Sequence, residues 1–195
     1  MQPIWLKSYP PGVPTTVNVD EYRSIGDIFT KTVEKFGARP AFVNMGTAIS
    51  YSELDRLSRN FGAYLQNVLK LHRGARIALM MPNLLQYPVA MFGALRSGYT
   101  VVNCNPLYSP RELSYQLKDS GAEAIVIVEN FANVLTQASD STQIKHIITT
   151  DTVPIPEDKM SILEGRISIV SVAGLLGEVI QRAHEGRSVG EMFNE

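Results

Sequence analysis

Two short runs, Arg76 to Met80 and Ala124 to Val128, constrain this chain more than any other feature. Each is about the length of one strand and apolar nearly throughout, without the polar alternation of a strand that has one wet face. A strand apolar on both sides needs cover on both sides. Segments with helical spacing stand between such runs, so the pattern is that of βαβ units. The predicted fold is α/β: a layered, mostly parallel sheet with helices on both faces.

The remaining elements follow from caps and periodicity. Ser24 precedes a stripe of Ile25, Ile28, Phe29, Val33 and Phe36, with Asp27 at the third helical position and Gly37 as the stop. Ala41 to Asn44 and Thr47 to Ile49 read as two short strands joined by Met45-Gly46. Ser50 or Ser52 caps a helix with Leu54, Leu57, Phe61, Leu65 and Leu69 on one face. Leu84 to Ser97, Arg111 to Ser120 and Phe131 to Ser139 are further helices, and Tyr99 to Asn103 and Lys145 to Thr149 further strands. Before all of these lies a proline-rich arm, residues 1–23, with Trp5 and Tyr9 as anchors. The α/β module occupies residues 24–149. A tail, residues 150–195, holds a connector, a strand over Arg166 to Val172 and a helix over Gly174 to His184. That strand and the stripe Leu175, Leu176, Val179 and Ile180 are expected to cover an edge and a face of the sheet.

Eighteen basic residues against nineteen acidic ones leave a net charge of -1, so bulk charge gives no attraction to nucleic acid. One cysteine, Cys104, excludes an internal disulfide framework and a cysteine-rich zinc site, which suits a cytoplasmic location. The first residues are too polar for a secretory signal, and no run approaches the ~20 apolar residues of a membrane span.

The search for chemistry finds little. The fourteen glycines are scattered, and neither a G-x-G-x-x-G nor a Walker-type loop is present, so no phosphate cradle is built. His72, His146 and His184 have no partner at metal-ligand spacing, and Cys104 has no neighbouring base. No catalytic residue and no metal ligand is assigned. The loop Asn105 to Pro110 leaves a strand at its carboxyl end, where open α/β sheets bind ligands. Ser109, Pro110 and Glu112 are accounted for as the start of a helix. Asn105 and Tyr108 remain open between a structural and a binding role, as does Met80 to Asn83 at another strand end.

Longer stretches carry a resemblance. Trp5-Leu6-x-x-Tyr9-Pro10, Pro40 to Gly46, Ala78 to Gly98, Val102 to Leu113 and Asp119 to Val128 resemble the beginning of bacterial long-chain fatty acid–CoA ligases. The likeness runs from about Met1 to Thr149. It implies an adenylate-forming family that uses ATP, magnesium and coenzyme A to activate fatty acids. Asn105 and Tyr108 would then border the coenzyme A side. That family's phosphate loop and catalytic lysine have no counterpart here. It also leaves peripheral membrane association open, while Trp5 and Tyr9 suggest self-association through the arm.

The tail resembles something else, the C-terminus of ribose-phosphate pyrophosphokinase, through Thr150 to Pro154, Ile167 to Leu176 and Glu178 to Phe193. This likeness implies that Ser188 and Phe193 line a regulatory phosphate site, although Gly190 and Glu191 depart from the motif and a carboxylate there repels phosphate. Three readings follow: a chimeric, non-catalytic ligase-derived module; a fragment retaining affinity for an acyl chain, nucleotide or coenzyme A; or a pyrophosphokinase relative. The missing phosphate loop favours the first.

Overall fold

Serine caps set where the helices begin. The computed structural model describes residues 3–44, 47–138 and 142–150, together with the backbone of 168–171. The tail helix, Ser188, Phe193 and the Met45-Gly46 turn lie outside the described residues. Helix α1 spans Ile25–Phe36, and Ser24 Oγ accepts the Asp27 amide at 3.1 Å. Helix α2 spans Tyr51–Asn67. Its cap is Ser50, which accepts the Glu53 amide at 3.1 Å, so the choice between Ser50 and Ser52 falls on Ser50. The α4 helix, Pro110–Ser120, carries a full capping box between Ser109 and Glu112 and ends at Gly121 in the left-handed region. Helices α3 (Gln86–Arg96) and α5 (Ala132–Ala138) complete the set among the described residues.

Strands β1 (Pro40–Asn44) and β2 (Thr47–Ser50) pair antiparallel with each other and stand apart from the main sheet. The mostly parallel layer is as expected, and this pair is a separate antiparallel addition to it. A pair this close in sequence closes as a hairpin, which a parallel layer cannot absorb without a crossover. The main sheet contains β3 (Arg76–Met80), β4 (Thr100–Asn103), β5 (Ala124–Ile127), β6 (His146–Thr149) and β7 (Ser168–Ser171). All its pairings are parallel, in the order β4-β3-β5-β6-β7. The strand predicted over Arg166 to Val172 thus appears as β7 beside β6.

The apolar runs do what their composition requires. Ile77, Leu79, Ala124, Val126 and Ile148 face one way, into a core with Leu54, Leu57, Phe61 and Leu65 of α2 and Val89, Ala90 and Ala94 of α3. Ala78, Met80, Ile125, Ile127 and Ile147 face the other way, against Leu113 and Leu117 of α4 and Leu135 and Ala138 of α5. Side-chain alternation along a strand produces this split. Helices α2 and α3 meet through small residues, with Gly62 and Gly93 at the crossing. Arg96 of α3 ties the pair by reaching the Asp55 carboxylate and Ser58 Oγ, both at 2.8 Å. Burial opposes the Asp55 charge, but hydrogen bonds from Arg59 and Arg96 outweigh it and hold the carboxyl below the usual range.

On α1 only Phe29 is buried, stacked on Phe92 with ring centroids 4.1 Å apart. Ile25 and Ile28, on the predicted apolar stripe, are exposed. The arm contains a short 3-10 turn at Ile4–Ser8, and Trp5 and Tyr9 are both exposed rather than anchored. Among the described residues no helix is long and apolar enough to cross a membrane.

Candidate functional site

The strand order locates the natural crevice. From β3 the chain moves to β4 on one side, then jumps back past β3 to β5 and continues to β6 and β7 on the other. Helix α3 lies on one face and α4 and α5 on the opposite face. The reversal falls between β3 and β5, and the carboxyl ends at such a point are the usual ligand position of open α/β sheets.

Three strand exits border this end. After β3, Met81 is buried and the Asn83 carbonyl accepts Asn44 Nδ2 at 2.8 Å, which ties the β1–β2 hairpin to the sheet. Beside it runs a groove of about 370 Å³, with Phe42, Val43, Leu84, Leu85, Pro88 and Met91 as its apolar lining. At the end of β4, Asn103 is a junction between both helical layers. Its Oδ1 accepts the Tyr87 hydroxyl of α3 at 2.6 Å, and its carbonyl accepts Gln116 Nε2 of α4 at 2.9 Å. Burial, reinforced by Cys104, raises the Tyr87 phenol above its ordinary value. After β5, a 3-10 turn at Glu129–Phe131 leads into α5.

Asn105 and Tyr108 stand in the second of these exits. Asn105 is exposed, with its Oδ1 accepting the Leu107 amide at 3.0 Å and its carbonyl accepting the Tyr108 amide at 3.1 Å. Both contacts close the loop on itself, as asparagine does in turns. Tyr108 is half-buried against the core formed with α4 and α5. Cys104 is buried beside them, and burial pushes its thiol up to about 11, far from a reactive thiolate.

The histidines divide. Burial holds His146 below the usual histidine range. His72 lies at the opposite, amino end of the sheet, where Nε2 meets Glu123 Oε1 at 2.7 Å. His184 lies outside the described residues. Sequence reading missed Asn103, Tyr87 and the groove, because their partners lie 13 to 39 residues apart. It also missed the His72–Glu123 pair, which spans 51 residues. No local pattern marks such pairs.

The fit to a nucleotide and magnesium is poor on this chain's own residues. No glycine-rich loop caps a strand end, and the described residues include no group of three acidic, histidine or cysteine side chains able to hold a metal. What the carboxyl end does offer is an apolar groove with amides at its rim.

Similarity places the chain among known proteins. The model of the family described as "AMP-binding enzyme" matches residues 29–173. The chain is 55% identical over 150 residues to a long-chain-fatty-acid–CoA ligase of Escherichia coli O6:H1, covering 77% of this chain and 27% of that protein. A benzoate CoA ligase from Burkholderia xenovorans LB400 shares the fold at a TM-score of 0.60 and 25% identity, over 74% of this chain and 29% of that one. An anthranilate CoA ligase solved with anthranoyl-AMP matches at a TM-score of 0.65 and 19% identity, over 75% of this chain and 27% of that one. The chain thus spans about a quarter of the length of these relatives. With three quarters of its own residues inside the family match, it belongs to the AMP-binding enzyme family, as a segment similar to the long-chain fatty acid–CoA ligases.

Proposed function

We propose that this polypeptide is the first α/β layer of a long-chain fatty acid–CoA ligase, and that on its own it catalyses no acyl activation. The observation that carries this reading is 55% identity over 150 residues in a chain with no glycine-rich phosphate loop. ATP, magnesium and coenzyme A would be the cofactors of the whole ligase, and their phosphates would be held by segments outside these 195 residues. Its own role is to supply a sheet closed on both faces and one wall of a site. Asn105 and Tyr108 would stand at the coenzyme A side of that wall, and exposed Trp5 and Tyr9 of the arm would seek a second subunit. Location in the cytoplasm and peripheral contact with a membrane belong to the same reading.

The tail is read as a graft. That reading takes residues 150–195 as the graft on the strength of the pyrophosphokinase resemblance, although the AMP-binding match runs on to residue 173 and so covers the first part of them. Ser188 and Phe193, the regulatory phosphate residues of that resemblance, fall within the graft.

A coupled pyrophosphate assay with ATP, magnesium, palmitate and coenzyme A tests the central claim. The expected rate equals that of a control without protein, and palmitate-dependent pyrophosphate release above control refutes it. The apolar groove favours one second reading, residual affinity for an acyl chain. Thermal shifts with palmitate, ATP-magnesium, coenzyme A and ribose 5-phosphate separate these cases. A ligand at a hundred times its Kd adds about 2.7 kcal/mol of stability. A shift with ribose 5-phosphate alone would point to the pyrophosphokinase relative.

A further inference from the structure

The amino end of the sheet holds a cluster that the proposed role does not use. The loop between α2 and β3 is unusual, with Lys70 at φ +52° and Gly74 at φ +85°. Contacts along it include the Leu71 amide donating to the Leu65 carbonyl at 3.2 Å, the Gly74 amide to the Gly98 carbonyl at 2.9 Å and the Ala75 amide to the His72 carbonyl at 3.0 Å, with the Tyr99 hydroxyl donating to the Leu71 carbonyl at 3.1 Å. The His72 side chain reaches out from this loop. Its Nδ1 lies 3.0 Å from the Arg73 carbonyl and its Nε2 2.7 Å from Glu123 Oε1. The other Glu123 oxygen accepts Lys145 Nζ at 2.8 Å. Glu123 itself is well covered, and its backbone is locked, the amide donating to Arg76 at 2.9 Å and the carbonyl accepting Lys145 at 2.7 Å.

Both partners of the imidazole are acceptors. A neutral ring carries one N–H and can satisfy only one of them, whereas an imidazolium carries two. The 2.7 Å contact is in the range of a charge-assisted hydrogen bond. We propose that His72 is a proton-operated latch, bridging the Arg73 carbonyl of its own loop to Glu123 at the amino end of β5 when charged and keeping only one of these two bonds when neutral.

The charges around it agree in direction. The Arg73 carbonyl, the hydrogen bond to Glu123 and the Glu123 charge raise the His72 pKa, while slight burial and the Lys145 charge oppose them. Hydrogen bonds from Lys145 and His72 lower that of Glu123. Arg76 lies over Gly121, two residues before Glu123, and His146 is adjacent to Lys145. The latch is therefore closed between two limits. Its contribution is complete below the free-histidine value near 6.5 and is lost as pH rises through the raised His72 value. At the acid end it is lost as pH falls through the lowered Glu123 value.

Histidine-ring NMR on the full chain across pH 4 to 9 tests this, with His72→Gln identifying the resonance. The expected His72 midpoint lies above 6.5. Glu123→Gln should move it down. Lys145→Met removes an opposing cation and should move it up. The Ala75 amide should exchange faster above the midpoint than hydroxide catalysis alone accounts for, and His72→Gln should abolish that extra step. A midpoint at or below 6.5, unmoved by Glu123→Gln, overturns the latch. So does Ala75 exchange with the same pH dependence in wild type and His72→Gln. Neither readout depends on acyl activation, so failure here leaves the ligase reading untouched, and the reverse also holds.

Discussion

Gly93→Ala sets two effects of opposite sign against each other on one methyl group. Within a helix, alanine is favoured over glycine by about 1 kcal/mol. On that ground alone the substitution in α3 should stabilise the chain. The crossing with α2 decides otherwise. A Cβ on Gly93 would sit 2.9 Å from the Ser58 carbonyl, 2.8 Å from Phe61 Cδ1 and 3.2 Å from Phe61 Cβ. Carbon contacts prefer about 3.5–4.0 Å, so the helices must part by roughly half an ångström or more. The carbonyl is backbone and cannot swing aside, and Phe61 is 6% exposed within the same core. Overpacking of this kind costs about 1–3 kcal/mol, and three close atoms place it near the upper end. Less the helical gain, a net loss of about 2 kcal/mol remains, or a Tm lower by about 4–8 °C in a chain of this size. Urea or thermal unfolding followed by far-UV circular dichroism measures it. Gly26→Ala is the control, since a Cβ there meets only Ser24 Oγ at 3.6 Å. That variant should be as stable as wild type or more so. A Gly93→Ala chain no less stable than wild type, with the control behaving as stated, would refute the close-packed crossing.

Three other outcomes are expected. Ser109→Ala removes the cap of α4 and should cost about 1 kcal/mol, read as a fall in urea midpoint with an unchanged m-value; a larger m-value change would mean the loop Asn105 to Pro110 does more than start a helix. Cys104, with its thiol pushed up to about 11, should react with a water-soluble aromatic disulfide at pH 8 only after urea is added, and rapid labelling of the native chain would contradict its burial. Truncation after Thr150 deletes β7 and bares the edge of β6, whose Ile147 and Ile148 are buried on opposite faces, so the product should aggregate or melt lower. A truncated monomer with the Tm of the full chain would show β7 to be dispensable.

The parts of this fold legible in sequence are those whose cause is local. β3 and β5 could be read because burial on both faces demands apolar residues at every position. Ser24, Ser50 and Ser109 could be read because a capping side chain and its N3 partner lie three residues apart. Boundaries suffered where a turn imitated a helix: the Leu84 amide donates to the Pro82 carbonyl at 2.8 Å, and α3 begins two residues later than its apolar pattern. The stripe on α1 told which residues share a face but not what covers them, and Ile25 and Ile28 are uncovered among the described residues. The groove escaped notice entirely. Phe42 and Val43 come from the hairpin and Leu84 to Met91 from the start of α3, and nothing in either segment announces the other.

The helix starts at the carboxyl end of the sheet differ in what they offer an anion. Helices α3 and α4 both begin at the carboxyl end of the sheet, where their amide dipoles would favour an anion. On α4 that capacity is already used. Glu112 Oε2 accepts both the Ser109 amide at 2.9 Å and the Ser109 hydroxyl at 2.6 Å. These bonds hold the Glu112 carboxyl below its usual range, so a negative charge already stands beside the first turn of α4. On α3 the reverse holds. Leu85 provides no side-chain cap, and the first turn opens beside Phe42, Val43 and Met91 rather than beside cations or glycine amides. One start repels an anion and the other meets an apolar wall. Among the described residues, the apolar wall at the start of α3 suits a neutral, apolar group better than a phosphate.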